Sequence, residues 1–320
     1  MTPEAAAWFA QRTSRARDWP VPRLRHLKQA GQHRISVVIP ARDEAATIGD
    51  VVTALRTALT GPGALVDELI VIDSDSTDST AQVAARAGAE VHAARAIRPD
   101  LGWQPGKGEA IWKSLFVTSG DLLVFVDADL TLFGPHFVTG LLGPLLAEPP
   151  VHLVKGFYDR ILDIGDQPST EGGRVTELVA RPLLNMWWPD LAAVVQPLAG
   201  EWAARRGLME SLAIPAGYGV ELASLVDTYA TAGLAALAQV DLGERAHRHQ
   251  AVHDLAVMAA ELMAVADARR HPGSSGPEAA ALSQYLRGGD GGSWRTRPVP
   301  LAQRPPAASV TPPVAAGTGR

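Results

Sequence analysis

Three short, mostly apolar runs, at residues 35–39, 68–72 and 122–126, with a further short strand expected to begin over 90–92, alternate with stretches whose apolar positions recur at helical spacing. A strand buried on both faces reads as such an unbroken run. Strands of this kind separated by helices predict an α/β fold, a doubly wound and mostly parallel sheet. Pro40 stops the first run because it brings no ladder donor. Ile48, Val51, Val52 and Leu55 then form a helical stripe, and Asp43 and Glu44 are expected in that helix's first turn, where acids suit the macrodipole. Gly88 is placed to end the helix expected over 79–87. Gly106-Lys107-Gly108 precedes another helix through Ile111, Leu115 and Phe116. Further elements are expected as a strand over 151–157 and helices over 221–228 and 254–268. In the last of these Leu255, Met258, Leu262 and Val265 make one apolar stripe.

The most chemical of the strand ends is Asp127-Ala128-Asp129, after Leu122-Leu123-Val124-Phe125-Val126. In open α/β sheets ligands bind beyond the carboxyl ends of the strands. Two carboxylates one residue apart on a rigid strand end suit a hard divalent cation that holds a diphosphate. Alone the motif is weak, since acids gather after strands by chance. Net charge −5 leaves no basic footprint for nucleic acid. The absence of cysteine removes disulfide and thiolate chemistry and accords with a cytoplasmic setting. No apolar run is long enough to span a bilayer, which argues against a membrane partner. Residues 1–28 carry Arg12, Arg15, Arg17, Arg23 and Arg25 without the apolar core of a signal peptide, and are expected as a basic surface arm. The Arg-Pro-Pro segment from Arg304 onward is expected to be a disordered tail.

Other segments gain weight by company. Glu44, after Pro40-Ala41, can accept from a base or ribose, or merely complement a helix start. Asp73 and Ser74 end the second strand, while Thr77 and Asp78 suit a helix cap. The Gly-Lys-Gly tripeptide lacks the Walker spacing, yet two glycines around Lys107 allow close approach to an anion. Gly172-Gly173-Arg174-Val175-Thr176 offers backbone N–H groups, a guanidinium fork and a hydroxyl at a helix start. Gly217-Tyr218-Gly219-Val220-Glu221 sets an aromatic platform near a carboxylate. Arg245-Ala246-His247-Arg248-His249 could complete a metal shell begun by Asp129, or be a solvated basic turn.

In this order the segments resemble one family, the glucosyl-3-phosphoglycerate synthases of actinobacteria, retaining glycosyltransferases with a GT-A fold. The resemblance rests on 35–41, 73–78, Pro105-Gly106-Lys107-Gly108-Glu109-Ala110, 125–129, Gln196-Pro197-Leu198-Ala199-Gly200-Glu201, 217–221 and 245–248. Most specific is Gly172-Gly173-Arg174-Val175-Thr176-Glu177-Leu178-Val179-Ala180-Arg181-Pro182-Leu183-Leu184. It spans roughly residues 32–306. It implies a GT-A domain with a helical acceptor-binding C-terminal part. On that basis the chain divides into a basic arm (1–34), a nucleotide-sugar half (35–150), an acceptor and dimerisation half (151–270) and a Gly/Pro-rich segment (271–320).

The resemblance further implies a UDP-glucose donor, a 3-phosphoglycerate acceptor, Mg²⁺ or Mn²⁺, and a homodimer. Pro40, Ala41, Glu44, Asp73, Ser74, Lys107, Asp127, Ala128, Tyr218, Glu221 and Arg245 would serve the donor. Gly173, Arg174, Thr176 and His249 would hold the acceptor, and Asp129 and His247 the metal. Asp129, Glu221 and Lys107 are the expected catalytic residues. Two positions depart from the family pattern. Arg248-His249-Gln250 stands where relatives often read Arg-Asn-Arg, and Asp159 stands where they tend to carry a basic residue. Both changes weaken anion binding. Alternatives on the same scaffold are a GDP-mannose donor or another acid acceptor, an inverting polyprenyl-phosphate sugar synthase, and a silent nucleotide-sugar binder.

Overall fold

The computed structural model describes residues 1–164, 167–169, 173–246, 252–273, 280–288 and 291–310. In chain order the strands are β1 (Thr13–Arg15), β2 (Ile35–Ala41), β3 (Glu68–Asp73), β4 (Glu90–Ala93), β5 (Leu122–Phe125), β6 (Leu153–Ile164), β7 (Gln167–Ser169), β8 (Trp202–Arg205), β9 (Ile214–Pro215), β10 (Leu237–Ala246), β11 (Ala280–Gly288), β12 (Gly291–Val299) and β13 (Gln303–Arg304). The helices are α1 (Pro3–Arg12), α2 (Val21–Ala30), α3 (Ile48–Leu59), α4 (Thr80–Ala87), α5 (Lys107–Ser114), α6 (His136–Ala147), α7 (Arg181–Trp187), α8 (Arg206–Ser211), α9 (Val220–Ala232) and α10 (Val252–Arg270).

The main sheet runs β1-β10-β6-β8-β5-β2-β3-β4, with β7 paired to β6. Its pairs are parallel except that β8 runs against both β5 and β6, and β7 against β6. Both faces are covered, which is why the central strands read as continuous apolar runs. Along β2, Ile35, Val37 and Ile39 pack into the layer with Ile48, Val52 and Leu55, whereas Val38 faces the opposite layer with Ile111, Trp112 and Leu222. Phe125 of β5 and Trp202 of β8 meet with ring centroids 4.3 Å apart, locking the antiparallel strand to its neighbour. The expected α/β class and mostly parallel sheet are observed.

Several local expectations are corrected. Asp43 and Glu44 precede α3 instead of opening it. Asp43 adopts φ +56°, and its carboxylate accepts from the Thr77 N–H at 2.7 Å, so the segment is a turn laced to the next strand-end loop. The helix after residue 106 ends at Ser114, before Leu115 and Phe116. The strand expected over 151–157 runs instead from Leu153 to Ile164, because β10 pairs along it as far as Ile161 and β7 over its last three residues. The first residues are no surface arm: Trp8 is buried and donates its Nε1–H to the Leu237 carbonyl at 2.8 Å, and β1 adds to the sheet through β10. Nor are Arg304, Pro305 and Pro306 a tail. β13 pairs with β9, and Ala307 is buried. Residues 311–320 lie outside the described residues.

Candidate active site

The ends of β2, β3 and β5, the start of β8 and the end of β10 converge on one cleft of about 360 Å³. Its lining includes Pro40, Ala41, Glu44, Ser74, Lys107, Asp127 and Ala128, together with Gly173, Arg174 and Thr176. Asp129, Tyr218, Glu221 and Arg245 line it as well. Separations of up to about 200 residues in sequence collapse here because every one of these segments leaves a strand or opens a helix at the same rim.

At the centre Lys107 Nζ lies 2.5 Å from Asp127 Oδ1 and 2.7 Å from Glu221 Oε1. Burial disfavours the ammonium, but the two carboxylates outweigh it and push Lys107 above its ordinary pKa. Arg245 is buried and touches three acids through one nitrogen: Asp127 at 3.0 Å, Asp129 at 3.2 Å and Glu201 at 3.5 Å. Its other terminal nitrogen donates to the Tyr158 hydroxyl at 2.6 Å. Burial alone would raise Asp127, yet Lys107 and Arg245 hold it below the usual carboxylate range. Asp129 goes the other way, raised by burial and by Asp127 beside it. The strand-end pair is thus split into one carboxylate locked by two cations and one still short of positive charge.

That imbalance fits a cation. Asp127, Asp129, Glu201 and Glu221 face Lys107, Arg245 and the buried Lys155, whose own pKa burial lowers to about 7. Asp129 offers hard carboxylate oxygens on the open side of the cleft, the donor type that Mg²⁺ and Mn²⁺ take alongside phosphate oxygens. Among the described residues no cluster of three His, Cys, Asp or Glu side chains surrounds a metal position. The expected second ligand, His247, lies outside the described residues, as do His249 and Gly172.

Glycines shape the cleft where backbones meet. A Cβ on Gly200 would run into the Asp127 carboxylate, and one on Gly108 into the Pro215 carbonyl. The Gly-Lys-Gly tripeptide is therefore a contact surface for the 214–217 segment as much as an anion loop: Gly108 N–H donates to the Gly217 carbonyl at 3.0 Å. Asp73 is not among the described lining residues; one oxygen of its buried carboxylate accepts from the Ser76 N–H of its own loop at 3.3 Å, and the other has no hydrogen-bond partner among the described residues. Asp159 is exposed and also stands away from the lining, so that departure does not reach the cleft.

Sequence reasoning assigned no role to Glu201 or Lys155. Both are buried charges behind the lining, and Lys155 Nζ donates to the Ala199 carbonyl at 2.7 Å, fixing the turn that enters β8. The available signal was a lone charge inside an apolar run, as in Val154-Lys155-Gly156 and Gly200-Glu201-Trp202.

A model of the family described as glycosyl transferase family 2 matches residues 36–193. A glucosyl-3-phosphoglycerate synthase of Mycolicibacterium smegmatis is 46% identical over 306 residues, covering 95% of this chain and 98% of that protein. The chain belongs to the glucosyl-3-phosphoglycerate synthases. A more distant member from Petrotoga mobilis is 44% identical over 246 residues, 77% of this chain and 76% of its own. The fold agrees with the crystal structure of the Mycobacterium tuberculosis enzyme in complex with Mn²⁺, UDP-glucose and phosphoglyceric acid. That match has a TM-score of 0.80 at 44% identity and covers 90% of this chain and 94% of that one. The same enzyme with Mg²⁺ and UDP gives a TM-score of 0.82 at 43% identity, with 92% and 97% covered. The fold is accordingly GT-A, and the chain is a glycosyltransferase.

Proposed function

We infer that the chain moves glucose from UDP-glucose to 3-phosphoglycerate, with retention and with Mg²⁺ or Mn²⁺, giving glucosyl-3-phosphoglycerate. The observation that carries the reading is Lys107 clamped between Asp127 and Glu221 beside Asp129, in a chain 46% identical to a synthase of that name. In this reading Pro40, Ala41, Glu44 and Ser74 surround the uridine, Asp127 and Ala128 meet the ribose and diphosphate, and Asp129 with His247 holds the cation. Tyr218 and Glu221 line the glucose, and Gly173, Arg174, Thr176 and His249 hold the acceptor anion.

A divalent cation, when bound, supplies positive charge against the departing diphosphate. The chain's own part is electrostatic and geometric. Lys107, kept protonated by its two acids, adds a fixed positive charge near the breaking bond. Glu221 is committed to Lys107 at 2.7 Å, which suits positioning of the sugar better than attack on it. The C2 hydroxyl of the acceptor approaches the face from which UDP leaves. The anomeric carbon–oxygen bond to UDP breaks as the new one forms, and the hydroxyl proton passes to the leaving phosphate oxygen. No protein nucleophile is needed to keep the configuration.

A cytoplasmic homodimer belongs to the same reading. Leu178, Met186 and Met263 are 75%, 71% and 55% exposed, and their elements adjoin one another. That concentration of apolar surface in the C-terminal half supports pairing through it. No helix among the described residues is long and apolar enough to cross a membrane. The functional test is UDP release from UDP-glucose with Mg²⁺, with and without 3-phosphoglycerate, and with GDP-mannose in parallel. Acceptor-dependent release from UDP-glucose is expected. Release that ignores 3-phosphoglycerate would overturn the acceptor, and preference for GDP-mannose the donor.

A further inference from the structure

The C-terminal segment makes contacts with the site that the mechanism above does not use. Arg304 forms a two-pronged ion pair with Glu109, Nε to Oε2 at 2.6 Å and Nη2 to Oε1 at 2.7 Å, and donates to the Leu101 carbonyl at 2.8 Å. Glu109 is 1% exposed. The guanidinium lies over the Trp112 ring, whose Nε1–H donates to the Pro305 carbonyl at 2.8 Å. Lys107 and Glu109 are two residues apart on α5, so their side chains leave nearly opposite faces of the helix. One face delivers Lys107 to Asp127 and Glu221, and the other is gripped from behind by Arg304.

The grip also reaches the turn that carries Tyr218 and Glu221. Arg304 pairs with Ile214 in the β13–β9 ladder, and the Ala216 N–H donates to the Ala302 carbonyl at 2.8 Å. On the other side of the same segment, the Glu109 N–H donates to the Ala216 carbonyl at 2.8 Å. The chain end, the 214–217 segment and the start of α5 are therefore stacked in that order. Gly108 leaves no room to spare where α5 meets the segment. We propose that Arg304 is a positioning residue for the donor, acting through Glu109 to hold Lys107 at its station between Asp127 and Glu221. The proposal rests on the donor-side reading of Lys107 given above.

Bidentate pairing is specific in geometry, and removing one partner of a buried pair leaves the other uncompensated. Arg304→Met should therefore raise KM for UDP-glucose roughly tenfold, the scale of one lost well-placed contact. KM for 3-phosphoglycerate should stay within about twofold, because the contacts of Arg304 and Glu109 described above run to Leu101, Trp112 and the 214–217 segment and not to Gly173, Arg174 or Thr176. Arg304→Lys, which keeps the charge without the fork, should recover part of the loss. The decisive measurement is calorimetric Kd for UDP with Mn²⁺ in wild type, Arg304→Met, Lys107→Met and the double variant. If Arg304 acts through Lys107, the double variant binds as Lys107→Met alone does. Additive losses, or equal rises in both KM values, would overturn the proposal. Should Arg304→Met not fold, Glu109→Gln tests the same link from the other partner. The wild-type turnover assay, run alongside, fails separately if the functional reading is wrong, because the Kd comparison does not depend on the acceptor.

Discussion

Glu261→Gln should stabilise the protein, by an amount that grows as pH rises from about 4.5 to about 7 and is then constant. Glu261, on α10, is 1% exposed and accepts from the Gly219 N–H at 3.0 Å through Oε1. Its Oε2 is buried without a hydrogen-bond partner among the described residues. Burial raises its pKa from 4.5 to about 7, with Glu221 adding to the effect. Between those two values the folded chain keeps a proton that the unfolded chain has released. Stability therefore falls as pH rises through this window and levels off above it. The 2.5 units correspond to about 3 kcal/mol at 1.36 kcal/mol each. Glutamine keeps the acceptor for Gly219 and carries no charge, so it escapes that fall. Wild type and variant should lie within about 1 kcal/mol at pH 5, and the variant should lead by about 3 kcal/mol at pH 8. For a chain of this length the lead is a Tm difference of about 4–5 °C. Thermal unfolding at both pH values reads it directly. A gap that is the same at both, or a variant less stable at pH 8, would refute the burial argument.

Asp129→Ala should abolish acceptor-dependent UDP release, and excess Mg²⁺ should not restore it; turnover that survives saturating metal would remove Asp129 from the metal site. Chelation by EDTA should stop wild-type release, and added Mn²⁺ should bring it back. Lys155→Met should act on a different pH window from Glu261. Burial lowers Lys155 from 10.5 to about 7, so the unfolded chain binds the extra proton between those values and wild-type stability climbs with pH across them. The variant should lack that climb of up to about 5 kcal/mol, as measured by unfolding at pH 7 and pH 10. Arg174→Ala should raise KM for 3-phosphoglycerate by at least about tenfold with the donor KM little changed, and steady-state kinetics in both substrates would show the split.

The strand ends were legible because a doubly covered sheet leaves an unmistakable apolar trace, and Asp127 and Asp129 sit where such a trace stops. Lys107 was legible only through the glycines around it. What the sequence hid was the use of its ends. Trp8 and Trp19 are buried, but Trp8 stands in a run of alanines too short and uniform to mark one face, and Trp19 follows Arg17-Asp18 and precedes Pro20, so neither makes a stripe that a helical period would reveal. Arg304 reads as the start of a Pro-rich tail because its partner, Glu109, is 195 residues away and the pairing segment is two residues long. Asp43 looks like a helix opener until its carboxylate is seen to be holding Thr77. Asp73 ends its strand as expected, and a local turn takes one oxygen of its carboxylate, a contact that no periodicity announces. Long-range contacts of one or two residues leave no periodicity, and periodicity is most of what a single sequence offers.

The reversed strand β8 also constrains how the enzyme can move. It is hydrogen-bonded on one edge to β5, which ends at the Asp-x-Asp pair, and on the other to β6. β5, β8 and β6 thus share one continuous ladder. Hinge closure of the kind seen where a cleft divides two bodies would have to tear that ladder. Admission of the donor and escape of the product must then be the work of side chains and rim loops over a rigid floor, and substitutions that tune turnover should be sought at the rim.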